Sequence, residues 1–103
     1  MNLKLFAGLT VAAALTAGTA LAQQTLSAVH AFAPTLVYTQ SFLRFVEKVN
    51  ERGAGVIQID VRGGPEAIGS FQQADAVRDG VVDMAYLPGS FYGGALPEKD
   101  ALV

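Results

Sequence analysis

Residues 34–52 carry a helical pattern between two segments with strand patterns, and this order most constrains the fold. Apolar side chains recur there at steps of three and four, which indicates one buried helix face. Residues 25–32 are rich in apolar side chains, and residues 56–62 alternate apolar and polar ones. A helix of this length lets two strands pair in parallel. The segment therefore predicts a β-α-β unit.

A second helix and a third strand follow in the same order. Residues 66–79 carry a helical stripe that includes Ile68 and Phe71, with the regular part of the helix expected over residues 70–79 and Gly80 placed to end it. Residues 81–87 form another apolar run, followed by a tail that we expect to be loop with at most a helical turn. Right-handed crossovers then predict an α/β fold with β-α-β-α-β order, in which the strands of an open parallel sheet lie in the order 2-1-3.

The first 22 residues have the three parts of a removable export signal. Lys4 supplies positive charge, residues 5–15 form an apolar run, and Ala20-Leu21-Ala22 is an A-x-A cleavage site. The apolar run is too short to cross a bilayer of ~30 Å. We therefore predict cleavage after Ala22, a secreted or periplasmic product that folds from residues 23–103, and no insertion of that product into the membrane.

Composition argues against several classes of function. The chain has no Cys and one His, so disulfides and the usual His/Cys zinc sites are excluded. Seven Lys or Arg and nine Asp or Glu give a net charge of −2, without the basic footprint that nucleic acids require. No GxSxG, HExxH or phosphate-loop motif is present. We therefore expect no enzyme activity, no metal, no cofactor and no nucleic-acid partner.

Ligands of an open α/β sheet bind beyond the carboxyl ends of its strands. Residues 30–32, 62–66 and 86–90 should reach that edge of the sheet, together with the amino-terminal ends of both helices. Free backbone N–H groups and the helix dipole favour an anion there, such as a carboxylate or a phosphate. The sequence therefore predicts an anion-binding edge.

The candidate residues at this edge also have structural interpretations. His30 either pairs with a ligand carboxylate or is a partly buried hydrogen-bonding residue. The Gly63-Gly64 turn either admits a ligand to its backbone or only joins a strand to a helix. Glu66 either contacts a ligand or favours the helix dipole. The aromatic ring of Tyr86 either packs in the core or forms the wall of a small-molecule site. The sequence leaves these alternatives open.

Four short motifs stand in an order that resembles a known family. They are F-x-x-F-V-E-K-V at 42–49, G-x-I-x-I at 55–59, G-G-P-E-A-I-G at 63–69 and A-V-R-D-G-V-V-D-M at 76–84. Together they resemble the start of the solute-binding proteins of TRAP (tripartite ATP-independent periplasmic) transporters, the DctP-like family. Pro97-Glu98 resembles the P-E segment that follows in the family, so the resemblance covers about residues 25–103.

The resemblance implies a periplasmic binding protein fold of two lobes that closes on a small organic anion and passes it to membrane permease subunits. This chain resembles only the start of the first lobe, so we expect a truncated lobe that binds ligand weakly or not at all by itself. The family's arginine for the ligand carboxylate lies further on. The resemblance implies these ligand-binding positions: His30, Phe32, Gly64, Pro65, Glu66, Ser70, Tyr86, Pro88 and Ser90.

A second hypothesis is a small, self-contained secreted module that acts by contacting another protein. It requires residues 23–103 to fold cooperatively without further chain. Under the first hypothesis, the solute-binding protein, the sequence does not distinguish among C4-dicarboxylates, keto acids, sugar acids and mannitol-like compounds as the solute.

Overall fold

The computed structural model of the chain describes residues 22–94 and 96–98. The predicted export signal therefore lies outside the described residues, except for Ala22. The helices and strands are β1 Gln24–His30, α1 Val37–Arg52, β2 Ile57–Gly63, α2 Gln73–Arg78 and β3 Met84–Tyr86. Short 3₁₀ turns at Ser70–Gln72 and Gly89–Phe91 precede α2 and follow β3. No helix in this part of the chain has the length and apolar character needed to cross a membrane.

The three strands form one parallel sheet in the order β2-β1-β3, which confirms the predicted order. β1 pairs with β2 from Gln24 opposite Ile57 to Val29 opposite Gly63, with an irregularity after Ala28. β1 pairs with β3 over three positions, from Ala28 opposite Met84 to His30 opposite Tyr86. The carboxyl end of the central strand thus lies between the carboxyl ends of its two neighbours.

The two helices cover opposite faces of this sheet. Ala28 and Val29 are successive residues of β1, so they point to opposite faces, and both are fully buried. The α1 side contains Ala28, Phe42, Val46 and Ile59, and the α2 side contains Val29, Ala76 and Val82. Because β2 and β3 flank β1 on different sides, two crossovers of the same hand place their helices on different faces. The described chain is therefore a three-layer α/β/α arrangement.

Helix α1 begins at Val37, a few residues later than the predicted start at residue 34. The Leu36 N–H donates to the Ala33 carbonyl at 3.2 Å, so the chain makes a turn before the helix. Leu36 itself has an extended backbone, with φ −76° and ψ 141°. The helix ends at Arg52, as the sequence predicts.

Helix α2 and the 3₁₀ turn before it cover residues 70–78, close to the regular helix predicted over residues 70–79, whereas residues 66–69 of the predicted pattern are not helical. Gly69 has an extended backbone, with φ −53° and ψ 139°, and separates a turn from the 3₁₀ turn that leads into α2. The predicted stripe is wrong at Phe71, which is 68% exposed, whereas Gln73 and Ala76 are buried. The 3₁₀ turn has three residues per turn instead of 3.6, so it changes which side chains face the sheet.

Gly80 ends α2, as predicted. Its φ is +75°, its N–H donates to the Val77 carbonyl at 3.2 Å, and the Val81 N–H donates to the Ala76 carbonyl at 2.8 Å. This pair of bonds is the Schellman pattern of a helix end. Since residue 81 belongs to the helix end, β3 begins only at Met84 and is shorter than the predicted strand over residues 81–87.

Candidate functional site

Three segments meet where the strands end, and we call residues 30–32, 63–66 and 86–90 the carboxyl edge. His30 is opposite Tyr86 in the β1–β3 register, and the Ala31 N–H donates to the Tyr86 carbonyl at 3.0 Å. The β2 end lies on the other side of β1, with Gly63 paired to Val29. The parallel sheet therefore brings together segments that are far apart in the sequence.

His30 is buried at this edge, with 4% of its surface exposed. Its ring Nδ1 lies 2.7 Å from the Phe32 carbonyl oxygen. A carbonyl oxygen only accepts, so Nδ1 carries the hydrogen in this contact and Nε2 is left for other interactions. The Thr39 hydroxyl donates to the same carbonyl at 3.3 Å. His30 thus has the structural hydrogen bond that the sequence left as one of its two interpretations.

Gly64 lies directly against the His30 ring. A Cβ at Gly64 would come within 2.7 Å of His30 Cε1 and 2.9 Å of His30 Nδ1. The preceding Gly63 has φ +136°, in the region that side chains avoid. The two glycines therefore allow the turn to approach the His30 side chain, a contact that neither predicted alternative, a ligand-binding turn or a plain connection, includes.

The Glu66 side chain folds back over this turn. Its Oε1 accepts a hydrogen bond from the Gly64 N–H at 2.8 Å. That bond, and then the N–H of Glu66 itself, lower the pKa of the carboxyl below its ordinary 4.5. Pro65, beside it, is exposed. The sequence-predicted residues His30, Gly64 and Glu66 thus form one contiguous group.

Ser70, in the 3₁₀ turn, and Gln73, the first residue of α2, form hydrogen bonds with the backbone at the end of β1. The Ser70 hydroxyl donates to the Ala31 carbonyl at 2.6 Å. Gln73 Nε2 donates to the His30 carbonyl at 2.8 Å and to the Ile68 carbonyl at 3.0 Å. Gln73 is fully buried, and its Oε1 has no hydrogen-bond partner among the described residues. Gln73 was not among the predicted site residues, because a glutamine within a helical pattern gives no sequence signal of burial.

Aromatic rings line the carboxyl edge on the α1 side. The Tyr86 ring stacks on the buried Phe42, with centroids 4.9 Å apart, and lies 4.5 Å from the Tyr38 ring. The Phe32 ring meets those of Tyr38 and Phe91 edge-on, at 5.3 and 5.6 Å. Burial, and then the neighbouring hydroxyls of Tyr86 and Tyr92, raise the pKa of Tyr38. Tyr86 therefore packs against the core and also contributes to an aromatic wall.

The loop after β3 carries the remaining predicted positions. The Phe91 N–H donates to the Pro88 carbonyl at 3.0 Å and closes the 3₁₀ turn. Pro88 is half-buried, whereas Ser90 is exposed. Pro88 therefore shapes the loop, and Ser90 is the more accessible of the two residues.

An open depression of about 350 Å³ lies on the outer side of α2. Its lining includes Phe71, Phe91 and Tyr92, with Asp75 and Arg78 among them. Arg78 pairs with the Asp75 and Asp79 carboxylates at 2.9 and 3.0 Å. None of the nine sequence-predicted site residues lines it: His30, Phe32, Gly64, Pro65, Glu66, Ser70, Tyr86, Pro88 and Ser90.

A comparison with models of known protein families found none that matches this chain. Within residues 22–94 and 96–98, no group of three or more His, Cys, Asp or Glu side chains is placed to hold a metal ion. The interpretation of the site therefore depends on its own geometry and on the resemblance of the sequence motifs.

Proposed function

We propose that this chain forms the amino-terminal part of the extracytoplasmic solute-binding component of a TRAP transporter, which captures a small organic acid. The observation that carries the proposal is the meeting of three strand ends at the carboxyl edge, because ligands of open α/β sheets bind at such edges. The order of the motifs over residues 42–84 supports the choice of family. Membrane permease subunits would receive the solute, and no reaction would be catalysed.

The carboxyl edge offers an organic acid two kinds of contact. The N–H of the turn after β2, which a side-chain carboxylate of this chain already occupies, and the exposed Ser90 hydroxyl are suited to a carboxylate. The rings of Phe32 and Tyr86 are suited to its carbon skeleton. Arg62 lies next to the edge, but its Nε is 3.0 Å from the Asp60 carboxylate. The ligand charge would therefore be matched by groups from a second lobe that closes by a hinge motion. This chain alone would bind weakly.

The test is uptake by cells that make the protein. Disruption of the gene should abolish uptake of one acid from a radiolabelled panel of C4-dicarboxylates, keto acids and sugar acids, and the intact gene should restore it. Amino-terminal sequencing of the periplasmic fraction should find a product that begins at Gln23. Unchanged uptake of every acid, or a product retained in the cytoplasm, would contradict the proposal.

The alternative hypothesis of a self-contained interaction module has one observation in its favour. Ala28 and Val29 are both fully buried, so both faces of the central strand are covered within the described chain. A module that folds by itself requires such a core on each side of its sheet. A melting experiment on the purified chain separates the two hypotheses, because only the self-contained module requires a cooperative transition of this chain alone.

A further inference from the structure

Glu66 already places a carboxylate at the carboxyl edge. Its Oε1 accepts the hydrogen bond from the Gly64 N–H at 2.8 Å. Its Oε2 lies 3.1 Å from the point that a Gly64 Cβ would occupy, and His30 Nδ1 lies 2.9 Å from that same point. The carboxylate is thus bound to a backbone N–H beside an imidazole ring.

The carboxylate of an organic acid could make the same hydrogen bond with the Gly64 N–H. A hydrogen bond from an N–H to an ionised carboxylate is roughly twice as strong as one between neutral groups. The same bonds keep the pKa of Glu66 low, so the side chain is ionised at neutral pH. An incoming carboxylate would therefore find the Gly64 N–H occupied by a group of its own chemistry.

Glu66 can withdraw without opening the turn. Its side chain is exposed to solvent. The turn is closed by the backbone, since the N–H groups of Ala67 and Ile68 donate to the Gly64 carbonyl at 3.0 and 3.2 Å. Rotation of the Glu66 side chain into water would leave the Gly64 N–H free for another acceptor.

We propose that Glu66 is a built-in competitor, whose carboxylate occupies the place of a ligand carboxylate, and that an organic acid binds at the carboxyl edge by displacing it. The inference rests on the proposed function and specifies its ligand class. A ligand carboxylate replaces the bond of Glu66 with an equivalent one, whereas a neutral hydroxyl replaces it with a weaker one. The site therefore selects anionic carboxylates over uncharged polyols.

The experiment is an acetate titration of the ¹⁵N-labelled chain, followed at the Gly64 amide resonance. Acetate is the probe because it presents a carboxylate and little else. Glu66→Ala should tighten acetate binding at Gly64 roughly tenfold, because one competing hydrogen bond to a charged group is removed. Glu47→Ala is the matched control, since Glu47 is an exposed residue of α1 and the change in charge is the same. It should leave the affinity unchanged.

Glu66→Gln keeps the size of the side chain, so it still tests the inference if Glu66→Ala does not fold. Its amide oxygen can still accept from Gly64, so it should tighten acetate binding by a smaller factor. Equal affinities for the wild type and both Glu66 variants, or shifts that avoid the Gly64 amide, would overturn the inference. Uptake that depends on the gene would then still support the proposed function, while Glu66 would be only a cap of the turn.

Discussion

Gly64 has no room for a side chain, because the ring of the buried His30 occupies the space that a Cβ would need. Gly64→Ala should therefore force the ring or the turn to move. We expect a loss of about 1–3 kcal/mol in the free energy of unfolding, the usual cost of overpacking a closely packed site. Urea denaturation followed by circular dichroism measures this loss.

Gly94→Ala is the matched control for that substitution. A Cβ at Gly94 would have no neighbour within 4 Å. Its free energy of unfolding should stay within about 0.5 kcal/mol of the wild type, as for most surface substitutions. Equal stability of the two variants would contradict the close packing of Gly64 against His30.

Asp83 makes stability depend on acid pH. Its Oδ2 accepts hydrogen bonds from the Ser27 backbone N–H at 2.7 Å and from the Ser27 hydroxyl at 2.9 Å. These bonds lower its pKa below the ordinary 3.8. The folded chain then binds fewer protons than the unfolded chain, so this contribution is complete at neutral pH and is lost as the pH falls from about 3.8 toward the lower folded value.

Melting temperatures between pH 7 and pH 2 check this dependence. Asp83→Asn removes the titrating group, so its melting temperature should fall less steeply below about pH 4 than that of the wild type. Ser27 is unchanged in that variant, which keeps the neighbouring strand pairing the same. Parallel pH profiles of the two chains would show that the Ser27 bonds do not favour the ionised form.

At the scale of elements, the side chain of Asn50 joins α1 to β2 by two hydrogen bonds. Its Nδ2 donates to the Ile59 carbonyl at 3.0 Å, and its Oδ1 accepts from the Ile59 N–H at 2.7 Å. β2 is at one side of the sheet, so part of its backbone has no strand to pair with. The amide of Asn50 satisfies both backbone groups of one such residue.

Asn50→Ala should leave the Ile59 N–H and carbonyl without their partner. The expected loss in the free energy of unfolding is about 1–3 kcal/mol, because both groups are partly removed from water. Ser41→Ala, at an exposed position of the same helix whose hydroxyl bonds only within α1, should change it by less than about 0.5 kcal/mol. Urea denaturation compares the two variants, and equal midpoints would show that the Asn50 bonds do not stabilise the fold.

At the scale of the whole described chain, several large apolar side chains remain on the surface, exposed by 48–79%. They are Leu36, Val37, Phe45, Val56, Phe71, Val81 and Leu96. If this chain is one part of a larger binding protein, as proposed, further protein would cover some of this apolar surface. The purified chain should therefore bind an apolar dye below its melting temperature and associate as its concentration rises.

Phe71→Ser should reduce both effects, since Phe71 is 68% exposed and its ring lies 4.4 Å from that of Phe91. Sedimentation velocity and dye fluorescence measure them. A monomer with a sharp melting transition and no dye binding would favour the self-contained module over the truncated lobe.

The sequence by itself determined the order of the elements. The period of the apolar residues separates helix from strand over short distances, and right-handed crossovers then permit few arrangements of three parallel strands. The end of α1 at Arg52 and the termination of α2 just before Gly80 were likewise predictable, because helix termination depends on neighbouring residues. Local chemistry was sufficient for these features.

Only the tertiary structure decided how the carboxyl edge is built. Ser70 bonds to Ala31 across 39 positions and Gln73 to His30 across 43, and no local pattern specifies such pairs. The 3₁₀ turn before α2 rotated Phe71 outward and brought Gln73 inward, against the apolar pattern. The contact between His30 and Gly64 likewise depends on the β1–β2 register. Such contacts form only when distant segments pack together, so their geometry is a property of the folded sheet.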